Sequence, residues 1–356
     1  MTTTLPHPGR ATPAPASLPT PHHGDRTSAV LVTGSGGPAG VAVIRRLVAL
    51  GHRVVAADAD PAAAGGALAH VAVTVPRGDH PRFVDALVAV ALAQGVDALV
   101  ATVAEELPEL TAGAERLAAA GVASWLPALD AVDLCCDKAA FARCMVAEGV
   151  PHPLTVTGPD EVAGVPGPWV VKPRAGRGSR GVLLLDDPAD VVAALGRDVD
   201  LIAQTRLTGQ EFTADALVGR DGELLVVVPR WREETKAGIS VKGRTFESAA
   251  VHDVVARALA AVALTGPANV QGFVTQDGVA TVVEINPRFS GGLPLTLAAG
   301  ADLVSAYLAG VREPGSPLPQ LGFRPGISMS RYFAESFASD DGSPVVAPCT
   351  PVAVTA

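Results

Sequence analysis

The order of predicted strands and helices changes near residue 129, and this change constrains the fold more than any other feature. Between residues 29 and 126, buried strands alternate with amphipathic helices, the first of which begins at Pro38 and ends at Gly51. Such alternation predicts a parallel, Rossmann-like sheet covered by helices. Beyond residue 129 the strands come as hairpins, which predicts a second domain of the α+β class built on antiparallel sheets.

Two Asp-Gly pairs mark the hairpins of this second part. Asp221-Gly222 and Asp277-Gly278 each separate two apolar runs. An Asp-Gly pair in that position favours a two-residue turn, and such a turn fixes which residues of the two strands lie opposite each other. Each hairpin therefore yields a prediction about which side chains share one face of the sheet.

In the hairpin around Asp277-Gly278, a two-residue turn pairs Asn269 with Asn286 and Gln271 with Glu284. All four side chains point to one face because strand side chains alternate. The residues expected on the opposite, apolar face are Val270, Val283 and Ile285. Oxygen-bearing side chains suit a hard cation such as Mg²⁺, which leaves part of its shell to substrate phosphates. A solvated polar face is the alternative.

In the hairpin around Asp221-Gly222, the same kind of turn pairs Glu211 with Arg232 and Thr213 with Arg230. These residues belong either to a binding site or to a structural cross-strand ion pair, and the sequence leaves both interpretations open.

A glycine-rich turn follows the strand that carries Lys172 and extends from Gly176 to Gly181. Glycines let backbone N–H groups converge on phosphate oxygens, and a nearby lysine adds a point charge. Arg288, two residues after Asn286, adds a further cation beside the polar face of the Asp277-Gly278 hairpin. The turn lacks the Gly-Lys-Ser/Thr ending of a P-loop, so a polar hairpin turn is the alternative.

A second glycine-rich turn lies near the start of the chain and is similar to a dinucleotide-binding loop. Gly34, Gly36 and Gly40 stand between a strand and a helix, and Asp58 follows the next strand at the distance of a ribose-binding acid. This pattern alone is compatible with an NAD(P)-dependent oxidoreductase.

Lysine is rare in this chain, in which Lys and Arg total 27. The lysines are Lys138, Lys172, Lys236 and Lys242. Almost every other positively charged side chain is an arginine. We therefore interpret the four lysines as compact ammonium groups that bind phosphates, with chance as the alternative.

Composition excludes several classes of protein. The net charge of −9 argues against nucleic acid as a partner, and no stretch approaches the roughly 18 apolar residues of a membrane span. Four cysteines without zinc or disulfide spacing are typical of a cytoplasmic protein. Residues 1–28, rich in Pro, His and Thr, predict a disordered tail, and residues 339–356 predict a flexible one.

Five motifs occur in the order seen in ATP-grasp enzymes: "CCDKAAF", "VVKPRAGRGSRG", "QTRLTGQEF", "NVQGF" and "EINPRFSGG". From about residue 29 to 310, the chain resembles the synthetase unit of the carbamoyl phosphate synthetase large subunit and the carboxylate–amine ligases built like it. The resemblance implies a pre-ATP-grasp domain over residues 29–128, which binds no dinucleotide. It further implies an ATP-grasp domain over residues 129–338, with a lid at about 155–206.

The resemblance also implies a role for each matching residue. Those expected on the ATP phosphates are Lys138, Lys172, Gly176, Arg177, Gly178, Ser179 and Gly181. Those expected beside adenine and ribose are Gln204, Thr205, Leu207 and Glu211. Those expected on Mg²⁺ or Mn²⁺ are Gln271, Glu284 and Asn286. Arg288 is expected to meet the γ-phosphate and the acyl phosphate.

Two further expectations concern substrate binding. The family usually has a glutamate on the ribose hydroxyls where this chain has Thr205, so a hydroxyl is the group left to bond ribose. Arg232, Lys236 and Lys242 lie in or beside a basic loop that is expected to bind the acid substrate or the polyphosphate. A solvated basic loop is the alternative.

The implied reaction joins a small-molecule carboxylate to an amine. The carboxylate attacks the γ-phosphate of Mg-ATP to give an acyl phosphate and ADP, and the amine then displaces phosphate. Amino-acid-like substrates are expected, Lys172, Arg232 and Arg288 are the expected catalytic residues, and a homodimer stays open. The alternatives are the NAD(P) oxidoreductase above and a non-catalytic ATP-binding module.

Overall fold

The structure is a computed structural model that describes residues 28–176, 181–236, 238–335, 337–339 and 344–345. Several expectations fall on residues outside these ranges. They concern the N-terminal tail up to residue 27, most of the C-terminal tail, and Arg177, Gly178 and Ser179 of the glycine-rich turn.

The first part of the chain forms a parallel sheet with helices. Its elements are β1 (Ala29–Thr33), α1 (Pro38–Ala49), β2 (Arg53–Asp58), β3 (Val71–Thr74), α2 (Phe83–Gln94), β4 (Ala98–Val100), α3 (Leu107–Ala112) and α4 (Ala114–Ala119). The strand order is β3-β2-β1-β4, and all three pairings are parallel. Helix α1 begins with a proline at its first turn and buries Val43, Ile44 and Leu47, because these residues share one face of a 3.6-residue helix.

A small antiparallel sheet follows. Its elements and the preceding helices are α5 (Leu129–Cys136), α6 (Lys138–Ala147), β5 (Thr155–Val156), β6 (Trp169–Pro173), β7 (Leu183–Leu185), α7 (Pro188–Arg197) and β8 (Leu201–Thr205). The strand order is β5-β8-β6-β7. Helix α7 covers one face, where Val191 and Leu195 pack with Trp169 and Val171 in a core of their own. The other face of the sheet is left for the site described below.

The rest of the chain is organised around a six-stranded sheet. Its elements are β9 (Gln210–Val218), β10 (Leu224–Lys236), β11 (Ile239–Thr245), α8 (Ala249–Ala261), β12 (Gly266–Val274), β13 (Ala280–Asn286), α9 (Leu293–Ala298), α10 (Leu303–Arg312) and β14 (Ser328–Ser330), followed by the separate pair β15 (Phe337–Ala338) and β16 (Pro344–Val345). The strand order is β13-β12-β9-β10-β11-β14, with antiparallel pairing throughout.

The predicted two-residue turns are wrong in both Asp-Gly hairpins. Each loop has three residues, closed by hydrogen bonds from the Gly219 amide to the Glu223 carbonyl (2.7 Å) and from the Thr275 amide to the Val279 carbonyl (3.0 Å). The glycine stands at the third loop position with a φ of 85° at Gly222 and 84° at Gly278. A glycine in this left-handed region ends a three-residue hairpin loop without a steric cost.

The predicted pairing of β12 with β13 is nevertheless confirmed near the strand ends. A shift of register lies between Gln271 and Gly272, and beyond it Gln271 pairs with Glu284 and Asn269 with Asn286. The extra residue in this β-bulge is Val283, which compensates for the longer loop. Val283 was expected on the apolar face. It is half-buried and lines the cleft described below, because a bulge interrupts the alternation of side chains.

One hydrophobic core joins the parallel sheet to the large sheet. Ile44 and Leu47 of α1 belong to the same buried cluster as Phe289 and Tyr307. The Tyr307 ring stacks on Trp125 with a centroid distance of 5.2 Å. This packing fixes the loop before α1 at one side of the large sheet. Within the described ranges, no helix combines the length and apolar character that crossing a membrane requires.

Candidate active site

A cleft of about 680 Å³ lies where the three sheets meet. Its walls come from one face of β9, β10, β12 and β13, from β6 and β8 of the small sheet, from the start of α6, and from the loop before α1. Most of the residues expected to bind substrate converge here. The expected site residues that line it are Lys138, Lys172, Gly176, Gln204, Thr205, Leu207, Glu211, Arg232, Gln271, Glu284, Asn286 and Arg288.

The expected metal ligands lie together on the floor of the cleft, at the end of the β12–β13 hairpin. The Asn286 amide donates to the Glu284 carboxylate over 3.4 Å, and Arg288 donates to the Asn286 side-chain oxygen over 3.2 Å. Gln271 lies opposite Glu284 in the strand pairing. The hairpin therefore presents one carboxylate, two amides and a guanidinium to the cleft.

Lys172 faces this floor from β6. Only 8% of the residue is exposed, and burial lowers the pKa of its ammonium group from 10.5 to about 8. The Glu284 carboxylate opposes that shift and Lys138 adds to it. The charges of all three residues therefore act on one another within the cleft.

Lys138 is the first residue of α6 and lines the same end of the cleft. Its ammonium group donates to the Gly176 carbonyl over 2.9 Å, which ties it to the start of the glycine-rich turn. Gly181, at the other end of that turn, does not line the cleft, whereas its neighbour Val182 does.

Arg232 links three parts of the site. It forms an ion pair with Glu211, as the cross-strand pairing predicted, and it donates to the Gln271 side-chain oxygen over 3.4 Å. Its second terminal nitrogen donates to the Gly238 carbonyl over 3.0 Å. The structural ion pair and the place in the cleft, considered above as alternatives, therefore occur together.

The segment expected to be a basic loop is the β10–β11 hairpin, and its two lysines, Lys236 and Lys242, do not line the cleft. Lys242 contacts the Glu234 carboxylate at 2.8 Å and Lys236 at 4.0 Å, and both side chains are more than half exposed. The tip of the same hairpin does line the cleft, through Gly238 and Ile239. Glu234 thus neutralises the charge that was expected to face a substrate.

Gln204 is held in the wall of the cleft by two side chains from the start of the small sheet. Its amide donates to Nε2 of His152 over 3.1 Å and to the Thr155 hydroxyl over 2.9 Å. His152 in turn lies 2.8 Å from the Val282 carbonyl through Nδ1, which must therefore carry the proton. Burial lowers the pKa of His152 to about 4, so the ring is neutral near pH 7.

Thr205 stands where the family usually has glutamate, and its hydroxyl is already engaged. It donates to the Pro166 carbonyl over 3.0 Å. The oxygen of Thr205 keeps the capacity to accept a hydrogen bond, and both Thr205 and Leu207 line the cleft.

Sequence reasoning missed a buried polar network that borders the cleft through Arg230, Asn269 and Ser290. Arg230 donates to Asp215 over 2.5 Å and to the Ser290 hydroxyl over 3.1 Å, and Asp215 also accepts from Thr296 over 2.6 Å and from Asn269 over 3.1 Å. The predicted pairing of Thr213 with Arg230 placed the next same-face residue of β9, Asp215, beside that arginine. The partners from more distant segments gave no comparable signal.

The loop before α1 borders the cleft, and packing requires glycine at Gly34 in this loop and at Gly40 in the first turn of α1. A Cβ on Gly40 would stand 2.3 Å from the Gly34 carbonyl oxygen, and one on Gly34 would stand 2.2 Å from Val103. Asp58, the residue at the ribose-binding position, accepts from the Gly36 amide over 2.7 Å. The acid and the loop therefore bind each other, which favours a structural role over dinucleotide binding.

One part of the cleft offers ligands that suit a metal ion. Among the residues described, no three His, Cys, Asp or Glu side chains are grouped so that they could hold a metal by themselves. Glu284 with the amides of Gln271 and Asn286 offers one charge and several neutral oxygens. Such a set suits Mg²⁺ that arrives with phosphate oxygens as its remaining ligands.

Two family models match separate parts of the sequence. Residues 197–326 match the model described as ATP-grasp in the biosynthetic pathway with Ter operon. Residues 30–124 match the PylC-like N-terminal domain. Residues 197–326 are therefore assigned to an ATP-grasp domain. A search of curated proteins finds no match.

Solved structures share the architecture of this chain across most of its length. A biotin carboxylase from Campylobacter jejuni superimposes with a TM-score of 0.66 at 16% identity, covering 83% of this chain and 73% of the other. An L-amino acid ligase from Bacillus licheniformis has a TM-score of 0.63 at 18% identity, covering 81% and 75%.

A third structure, N5-carboxyaminoimidazole synthetase from Staphylococcus aureus complexed with ADP, has a TM-score of 0.66 at 18% identity and covers 83% and 80%. Identities this low establish the shared fold alone. The shared fold confirms the predicted fold class, a parallel N-terminal sheet followed by an ATP-grasp fold with antiparallel sheets.

Proposed function

We propose that this protein is an ATP-dependent carboxylate–amine ligase that forms an amide bond through an acyl phosphate and releases ADP and phosphate. One observation carries the proposal. The β12–β13 hairpin presents Glu284, Asn286 and Arg288 on the floor of a cleft, and Lys172 faces them from the opposite sheet. Cations and a metal-binding carboxylate on two sides of one cleft suit a polyphosphate between them.

The proposed roles follow from where the charges lie. Lys138 and Lys172 bind the phosphates of ATP, and Arg288 binds the phosphoryl group that is transferred. Glu284, Asn286 and Gln271 hold Mg²⁺, which when bound neutralises phosphate charge. The substrate carboxylate is the nucleophile, so the protein needs no base at this step and contributes position and charge.

Three of the structures in the comparison support this class of reaction. They are a carboxylase, an amino acid ligase and a synthetase, and one of them is a complex with ADP. Within this class we propose amino-acid-like acid and amine substrates. ATP enters with its adenine beside Gln204 and Leu207, and Arg232 bridges the nucleotide end of the cleft to the hairpin tip at Gly238.

A phosphate-release screen tests the proposal. The full-length protein with Mg-ATP is incubated with amino acids singly and in pairs, and release of ADP and phosphate is measured. We expect release that depends on one acid and one amine, and its loss in Lys172→Ala and Glu284→Ala. Full activity in either variant would refute the assignment. Binding of Mg-ATP without any turnover in the screen would favour the non-catalytic module.

A further inference from the structure

Asp137 performs two tasks at the start of α6. One carboxylate oxygen caps the helix by accepting from the amides of Ala139 (2.9 Å) and Ala140 (3.1 Å). The carboxylate also receives two parallel hydrogen bonds from Arg174, of 2.7 and 2.5 Å. These bonds, the one from Arg174 foremost, lower the pKa of Asp137 to about 2, so the residue is ionised across the physiological range.

Asp137 and Arg174 lie next to the two lysines of the cleft. Asp137 directly precedes Lys138, and Arg174 follows Lys172 by two residues at the end of β6. The backbones are joined as well, because the Lys138 amide donates to the Arg174 carbonyl over 3.0 Å. Neither Asp137 nor Arg174 lines the cleft itself.

The two lysines need such a connection because their charges repel each other. Both lysines line the same cleft, and Lys138 contributes to the lowered pKa of Lys172. Lys138 comes from a helix and Lys172 from a strand of the small sheet, so their own elements do not fix their separation. A bidentate carboxylate–guanidinium pair is rigid enough to do so.

We propose that Asp137 and Arg174 are positioning residues that hold Lys138 and Lys172 at the separation required to bind one polyphosphate. This inference rests on the proposed function, since it assumes that ATP is the ligand of the two lysines. A positioning role can be distinguished from a purely structural one. Loss of the ion pair should weaken phosphate binding more than it lowers the stability of the fold.

The chain contains a matched control pair. Arg46 donates to Asp302 over 3.1 and 2.6 Å, and Asp302 also caps a helix, α10, by accepting from the Ser305 amide. Both pairs thus combine an arginine, an aspartate and a helix cap at partly exposed positions. The Arg46–Asp302 pair joins α1 to α10, and neither of its residues lines the cleft.

The experiment compares Arg174→Met with Arg46→Met in the full-length protein. Calorimetric titration gives the Kd for Mg-ATP and for AMP, and thermal unfolding gives the stability of each variant. We expect Arg174→Met to raise the Kd for Mg-ATP about tenfold or more, because two phosphate-binding groups lose their spacing. The Kd for AMP and the affinities of Arg46→Met should stay at the wild-type values.

Two further variants separate positioning from folding. Asp137→Asn keeps an oxygen that can cap α6 and removes the ion pair, so it should stay folded while the Kd for Mg-ATP rises. Arg174→Lys keeps one hydrogen bond and should restore part of the affinity. Wild-type affinity for Mg-ATP in Arg174→Met and in Asp137→Asn would overturn the inference and leave the proposed function intact. Absence of nucleotide binding by the wild type would overturn both.

Discussion

The two Asp-Gly hairpins of the large sheet have the same kind of loop but use their polar faces differently. In β9–β10, charged side chains pair with one another, Arg230 with Asp215 in the buried network and Arg232 with Glu211 at the cleft. In β12–β13, the described hydrogen bond of Glu284 is a 3.4 Å contact with Asn286, and the side chain faces the cleft. A polar group that is satisfied internally supports the fold, whereas one that is poorly satisfied at a cleft is available to a ligand.

The largest expected effect is the loss of stability on breaking the buried pair of β9–β10. Arg230→Met leaves Asp215, which is 1% exposed, as a buried charge without its counter-ion. We expect the free energy of unfolding in urea to fall by about 3–5 kcal/mol. The double variant Arg230→Met with Asp215→Asn should recover part of this loss, because no charge is then left buried. A loss below about 1 kcal/mol for the single variant would show that the pair does not support the fold.

The opposite result is expected for the polar face of β12–β13. Glu284→Gln keeps the shape of the side chain and removes its charge. The free energy of unfolding in urea should therefore change by less than about 0.5 kcal/mol. ATP-dependent phosphate release should fall on the order of 10²–10³-fold, because the phosphates lose the metal that screens them. Glu223→Gln in the other hairpin, where the side chain is exposed and bonded to Gln320, is the control and should alter neither quantity.

Activity against pH tests the contact between the two sides of the cleft. The pKa of Lys172 is lowered to about 8, so its ammonium group loses its proton as the pH rises through that value. Because Lys172 is protonated below about pH 8, we expect its titration to leave kcat/KM for ATP unchanged there. Above that pH, kcat/KM should fall about tenfold per pH unit. Removal of the Glu284 charge should move this decline to lower pH, since that carboxylate raises the pKa of Lys172. A decline at the same pH in Glu284→Gln would contradict the contact.

The pairing of Gln271 with Glu284 was predicted correctly although the turn was not. The loop has one residue more than expected, and the bulge at Val283 adds one residue that compensates for it. Nothing in the residues around Val283 indicates a bulge, because its position depends on packing across the whole sheet. Alternation of strand with helix and the Asp-Gly hairpins were enough to predict the fold class, since both depend on local patterns.

Residues whose partners lie far along the chain were not predictable from local patterns. No role was predicted for His152, because its partners, Gln204 and Val282, come from other segments. Lys236 and Lys242 were expected in the cleft because the loop is basic, yet Glu234 of the same hairpin binds both. The sequence shows which charged side chains are present, but only the fold decides which of them form ion pairs.

The smallest expected effect concerns the three-residue loops of the two Asp-Gly hairpins. Gly222 and Gly278 have φ values of 85° and 84°, and a Cβ at either position would meet no atom within 4 Å. Gly222→Ala and Gly278→Ala should therefore each lower the free energy of unfolding by about 1 kcal/mol, through backbone strain alone. The Asn variants should lose less, because asparagine tolerates this conformation. Neither alanine variant should change the Kd for Mg-ATP, since the bulge at Val283 separates the Asp277-Gly278 loop from Gln271 and Glu284. A weaker affinity in Gly278→Ala but not in Gly222→Ala would mean that the loop, rather than the bulge, sets the register of the proposed metal site.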